Sequence, residues 1–193
     1  MTDGEGPCTG LEDDSAELAA RAASGDAGAF AALIERHYDR LHRMAWRWTG
    51  NRTEAEDIAQ DVCVKLATAI RGYRGEAAVT TWLHRIAYNV MLDRARARAR
   101  ETLPGTDNVV ALFDGPLTRG EAPSTPETDL IGAELWTAVR SLPPQQRDAV
   151  MLVYAEDMSH AEAAVVMGCT EKTVSWHLHA ARKRLKGLLE AVG

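Results

Sequence analysis

Long apolar runs are missing: nowhere in the 193 residues do about 18 apolar side chains follow one another, so no membrane-crossing helix is encoded. Cysteine is scarce. Cys8, Cys63 and Cys169 are odd in number and far apart, which fits reduced thiols and excludes a disulfide framework or paired metal-ligand spacing. Cys63 and Cys169 stand among apolar neighbours and read as small core residues. There is no glycine-rich phosphate loop and no nucleophile elbow, and His177 and His179 project to different faces of one helix, a poor chelate. Neither an enzyme nor a metal or cofactor site is therefore expected. Sustained apolar/polar alternation is also absent, so the chain is expected to be all-α. Residues 1–20 hold six acids and no base, with no basic segment leading into an apolar one; the expectation is no secretory signal and a cytoplasmic protein.

Charge is present but unevenly placed. The net charge of -6 divides into fourteen bases against nine acids over residues 21–100, one base against six acids over 101–130, and seven of each over 131–193. Duplex affinity comes largely from neutralised phosphates, so a mildly acidic chain is expected to need a partner to reach DNA.

The most informative stretch runs from Ser159 to Lys186. Ser159-His160-Ala161-Glu162 is a capping box that starts a short helix, and Gly168 suits its left-handed end. Thr170 then caps a second helix, in which Val174, Leu178, Ala181, Leu185 and Leu188 form one apolar stripe. Lys172, Trp176, His179, Lys183 and Lys186 fall within roughly 60° of the opposite direction. Two short helices presenting such a face fit a DNA major groove; a helical hairpin with a solvated basic face is the plainer alternative.

Upstream, Ser15 begins a short helix that Ser24-Gly25 ends, and Asp26 caps a longer one closed by Gly50-Asn51, with His37 at the core edge. Thr53-Glu54-Ala55-Glu56 reads as a capping box for a helix to Ile70, whose buried side is Ile58, Ala59, Val62, Leu66 and Ile70. Acids in its first turn favour the helix dipole, which leaves Asp61 in the third turn unexplained. A third helix around Val79, Trp82, Leu83 and Ile86 is expected to end near Asn89. Beyond it an arginine run from Arg94 to Arg100 reads as a solvated projection or, preferably, a phosphate-contacting arm. Residues 101–128 are rich in proline and glycine and read as a linker. A helix from Leu130 to Ser141 precedes Leu142-Pro143-Pro144 and a supporting helix from Gln145 to Ala155.

In order and spacing these pieces resemble the extracytoplasmic-function group of the sigma-70 family, the promoter-recognition subunits of bacterial RNA polymerase. Gly25-Asp26 with Ala29-Phe30, then Ala55-Glu56-Asp57-Ile58-Ala59-Gln60-Asp61-Val62, then Tyr73-Arg74-Gly75-Glu76 with Thr81-Trp82-Leu83 and Arg85-Ile86-Ala87-Tyr88-Asn89 look like region two. Leu142-Pro143-Pro144-Gln145-Gln146-Arg147, residues 159–168, and Thr173-Val174 with Leu178-His179 and Ala181-Arg182 look like region four. The resemblance spans about 170 residues. It implies an acidic disordered tail over 1–13, region two over 14–101, a flexible linker over 102–128 and region four over 129–193.

The resemblance also implies roles. Asp57, Gln60 and Asp61 would dock on core RNA polymerase. Asn89 would sit in a loop that receives a flipped base of the minus-10 element, with Arg85, Arg94, Arg96 and Arg98 along the adjacent strand. Lys172, Thr173, Ser175, Trp176, His177, His179, Arg182 and Lys183 would read the minus-35 element. Ser175, Trp176, His177 and Ala180 make this reading helix less basic than is usual in the family, and Thr80 replaces a common basic residue. Promoter DNA, core polymerase and an anti-sigma factor are the implied partners of a chain that is monomeric when free. The alternative is a free-standing helix-turn-helix regulator with an N-terminal sensor or dimerisation module, which tight salt-dependent duplex binding by the isolated chain would favour.

Overall fold

Eight α-helices and no strand make up the described residues, 9–102 and 129–190, of this computed structural model. Helices α1 (Thr9–Ala23), α2 (Ala27–Thr49), α3 (Arg52–Ala69) and α4 (Val79–Thr102) form an N-terminal module, and a single 3-10 turn, Ile70–Gly72, ends α3. Helices α5 (Asp129–Arg140), α6 (Pro144–Val150), α7 (His160–Met167) and α8 (Glu171–Glu190) form a C-terminal one. Residues 1–8, with Cys8, and residues 103–128 of the linker expected over 102–128 lie outside the described residues, while Thr102 still belongs to α4.

Local chemistry accounts for most boundaries. The Asp26 carboxylate accepts the Ala29 N–H at the start of α2, and Gly50 closes it at φ 67°, a conformation that glycine adopts without strain. Ser159 and Glu162 make the reciprocal capping box of α7, Gly168 ends it at φ 66°, and Thr170 accepts the Thr173 N–H to open α8.

Four expectations are corrected. Helix α1 begins at Thr9, so residues 9–13 are helical rather than part of a disordered tail. The cap of α3 is Asn51, whose side chain accepts the Glu54 N–H, not Thr53. Helix α4 runs unbroken through Asn89 to Thr102, because Met91 stays buried and the alanine–arginine run that follows is made of strong helix formers. The helix after Pro144 gives way at Met151–Ala155 to a widened π turn, in which the Glu156 N–H reaches back to the Met151 carbonyl.

Leu33, Met44, Leu66 and Leu83 are fully buried in the N-terminal module, and Met151, Leu152, Val174 and Leu178 in the C-terminal one. Each is worth about 1.5–3 kcal/mol of transfer free energy. The two sets merge into one continuous core, since α4 packs on α7 and α2 on the π turn. Cys63 and Cys169 lie at the rim, half-buried rather than in the core, and burial pushes both thiols up.

Candidate nucleic-acid interface

Helix α8 offers the first surface. Lys172, Trp176, His179 and Lys183 share its exposed side, and Trp176 is 62% exposed, its ring meeting that of His177 edge-on at 5.0 Å between centroids. The stripe Val174, Leu178 and Ala181 on the other side seats the helix on α6 and α7. Three of the expected reading residues are engaged within the chain. Ser175 hydrogen-bonds Nδ1 of His160 on α7 at 3.0 Å, and the Thr173 hydroxyl meets that of Thr170 at 2.9 Å. Arg182 lies over the Tyr154 ring and donates to its hydroxyl. His177 is a correction: at 6% exposure it is buried in the support of the helix, not on its reading face, and its Nδ1 has no partner among the described residues. Burial lowers its pKa, with the Asp148 charge pulling the other way.

Helix α4 offers the second surface, and the expected minus-10 set divides on it. At about 100° per residue Arg85, Asn89 and Arg96 lie within about 40° of one another. All three are exposed; Arg96 pairs with Asp93 at 3.2 Å. Arg94 and Arg98 turn the other way, onto α3. Arg94 binds the Asp61 carboxylate at 2.6 Å and the Asp57 carbonyl at 3.2 Å, and Arg98 lies 3.4 Å from Glu54. Asn89 sits in mid-helix instead of in a loop, its amide free of the backbone ladder.

Asp57, Gln60 and Asp61 line the exposed side of α3, beside Val64 at 69% exposure. Acids and an apolar side chain together on one helix face make a protein-docking surface more readily than a DNA-facing one.

Sequence reasoning missed a buried polar seam between the modules. Glu156, 3% exposed, follows the π turn and takes Arg47 on Oε1 at 2.9 Å and both Arg40 and His84 on Oε2 at 3.2 Å. Burial pushes its carboxyl up, but His84, Arg47 and Arg40 outweigh this and hold it below the ordinary range. Nearby, Asp148 accepts two bonds from Arg147, at 2.8 and 3.0 Å, one from the Tyr88 hydroxyl at 3.0 Å and one from Trp48. Complete burial pushes Asp148 up against the pull of those donors. The available signals were an Arg-Asp pair inside an apolar helix and two arginines, Arg40 and Arg47, seven apart on the core side of α2.

Two helical modules, one bearing an exposed reading helix on a helix-turn-helix and the other a cationic stripe beside an acidic docking face, define a DNA-associated protein of the transcription machinery. The family model for Sigma-70 region 2 matches residues 33–101, and that for Sigma-70 region 4 matches residues 132–185. The chain is 35% identical over 179 residues to the ECF RNA polymerase sigma factor SigM of Mycobacterium tuberculosis, covering 92% of this chain and 86% of that protein. It is 33% identical over 174 residues to the ECF RNA polymerase sigma factor SigE of Mycolicibacterium smegmatis, covering 86% of this chain but only 65% of that longer protein. A solved structure of the sigma factor RpoE with the anti-sigma factor NepR from Bartonella quintana matches at a TM-score of 0.66 and 25% identity, covering 83% of this chain and 96% of that one. The chain belongs to the extracytoplasmic-function group of the sigma-70 family. Among the described residues no helix is long and apolar enough to cross a membrane.

Proposed function

We propose that the chain is a cytoplasmic, non-enzymatic initiation subunit that binds core RNA polymerase through α3, reads the minus-10 element with α4 and the minus-35 element with α8, and promotes opening of the duplex. The observation that carries this reading is the presence of two separate outward stripes, Arg85, Asn89 and Arg96 on α4 and Lys172, Trp176, His179 and Lys183 on α8, each on a rigid helix. An amide such as Asn89 carries both donor and acceptor for the edge of an extruded base, and unstacking such a base costs a few kcal/mol that a holding contact offsets. Trp176 supplies an apolar plane for a thymine methyl or a sugar. The domains implied by the resemblance, 14–101 for region two and 129–193 for region four, belong to this reading, as does control by an anti-sigma factor, the partner class seen with RpoE.

Reconstitution with core polymerase on a genomic promoter pool tests it. The expected result is start-site selection by the complex and none by core alone. Trp176→Ala is expected to reduce use of promoters with a strong minus-35 element at least fivefold. Asn89→Ala is expected to reduce permanganate reactivity at minus-10 while closed complexes still form. Equal start-site patterns with and without the chain would end the proposal, and tight duplex binding by the chain alone would favour the free-standing regulator.

A further inference from the structure

The middle of the outward side of α8 carries little that can hydrogen-bond to a base edge. Trp176 and Ala180 stand there one turn apart, about 40° from each other around the helix. Alanine has no polar side-chain atom, and indole has one donor and no acceptor, so neither makes the bidentate pairs by which arginine, asparagine or glutamine identify a base. The neighbouring polar groups are engaged inside the chain: Ser175 with Nδ1 of His160 at 3.0 Å, Thr173 with Thr170 at 2.9 Å, and Arg182 with Tyr154. His179 adds a polar tip, but about 60° to one side of the indole. Lys172 and Lys183 stand at the two ends of this side, eleven residues or about 17 Å of helix apart. That length exceeds the major groove's width of about 12 Å and suits phosphates on either strand. Cations placed for the backbone thus bracket an apolar centre. The indole is also held in place, since its ring meets that of the buried His177 at 71° and 5.0 Å.

We infer that α8 selects thymine through its C5-methyl group, with Trp176 and Ala180 as the specificity-determining pair. The inference rests on the minus-35 role proposed above and narrows it to one base chemistry. Every base pair presents donors and acceptors in the major groove, and among the four bases only thymine adds an apolar group there. Set against a guanine, cytosine or adenine edge, the Trp176–Ala180 centre displaces water from polar atoms and returns no hydrogen bond to them, which is unfavourable. Set against a methyl, it removes apolar area from water. The two side chains are about 6 Å apart along the helix axis, close to two base-pair steps of about 3.4 Å, so two methyls within three consecutive pairs fall inside their span. A rigid ring gives up little side-chain freedom on making such a contact.

Deoxyuridine tests this, because it differs from thymidine by that methyl alone and pairs in the same way. The most-used promoter of a genomic pool is prepared in two forms, with thymine or with deoxyuridine throughout its minus-35 region, and the two compete for core polymerase carrying the full chain. Burying one methyl contributes about fourfold, equal to about 0.8 kcal/mol, so the thymine form is expected to be used about fourfold more for one contacted methyl and about 16-fold more for two. Trp176→Ala is expected to lower that ratio at least threefold, and Trp176→Phe, which keeps an apolar ring, to lower it by about twofold or less. Ala180→Ser places a hydroxyl in the apolar centre and is expected to lower the ratio about twofold; it decides the matter should Trp176→Ala lose helical circular dichroism. Equal use of the two forms by wild type would overturn the thymine assignment, and if Trp176→Ala still weakened both forms alike, the indole would be a sugar contact. A selected minus-35 region with no thymine on either strand, or a ratio unchanged in Trp176→Ala, would overturn it as well. Failure of the proposed function is told apart by the absence of directed transcripts from either form.

Discussion

Replacing Asp61 with alanine separates a structural from a functional use of one carboxylate. Asp61 is bound by Arg94 at 2.6 Å, but the two side chains are 50% and 34% exposed, so water and salt compete for both. Exposed pairs of this kind contribute about 0.2–1 kcal/mol, and Arg94 keeps the Asp57 carbonyl at 3.2 Å after the change. Urea unfolding followed by circular dichroism is therefore expected to show a loss below about 1 kcal/mol. If α3 docks on polymerase, Asp61 meets a cation there in a desolvated contact, and removing one partner of such a pair costs about 2–5 kcal/mol, or about 30-fold or more in affinity. Titrating a fluorescently labelled chain with core polymerase measures that loss by anisotropy. A companion Arg94→Ala, and the double variant, isolate the coupling of the pair, expected to stay below about 1 kcal/mol. Core affinity unchanged within threefold, together with a stability loss above about 2 kcal/mol, would make Asp61 a structural residue and refute the docking assignment.

Two further outcomes concern the C-terminal support. Asp148→Ala leaves the Arg147 guanidinium, 7% exposed, without its counter-charge and the Tyr88 hydroxyl without its acceptor, and is expected to cost about 3–5 kcal/mol in urea unfolding. A loss under about 1 kcal/mol would mean that the knot contributes little. His177 binds a proton less readily when folded than in the unfolded chain, where its pKa is about 6.5, so its neutral form's full contribution is present above that value and is eroded as pH falls below it. His177→Leu is expected to flatten stability between pH 7 and 5 relative to wild type; an unchanged slope would contradict the burial of the imidazole. Glu156 and Glu162, both held below the ordinary range, act with the same sign in a more acidic window: their stabilisation is present above about pH 4.3 and lost beneath it.

What the sequence reveals here is local. The Ser159–Glu162 box, Gly168, Asp26 and Gly50 each act on the backbone within a turn of themselves, so their roles can be read from spacing alone. The outward side of α8 is equally legible, since a single period orders Lys172, Trp176, His179 and Lys183. The same wheel puts His177 about 140° from Lys172, which was the signal for its burial. Tertiary partners are not legible in this way. The run Arg94 to Arg100 has no acid within it, yet two of its guanidiniums find carboxylates 33 and 44 residues away on α3. Glu156 looks like any surface acid after a helix until Arg40 arrives from 116 residues upstream.

The widened turn at Met151–Ala155 has an angular consequence. Wound as a regular α-helix, those five residues would rotate everything after them by about 100°, swinging the Glu156 side chain out of reach of α2 and re-aiming the whole helix-turn-helix. Shortening that turn by one amino acid would preserve the bearing of α7 and α8, whereas straightening it at full length would not. The direction in which α8 faces is thus set by a single surplus residue in the chain that leads to it.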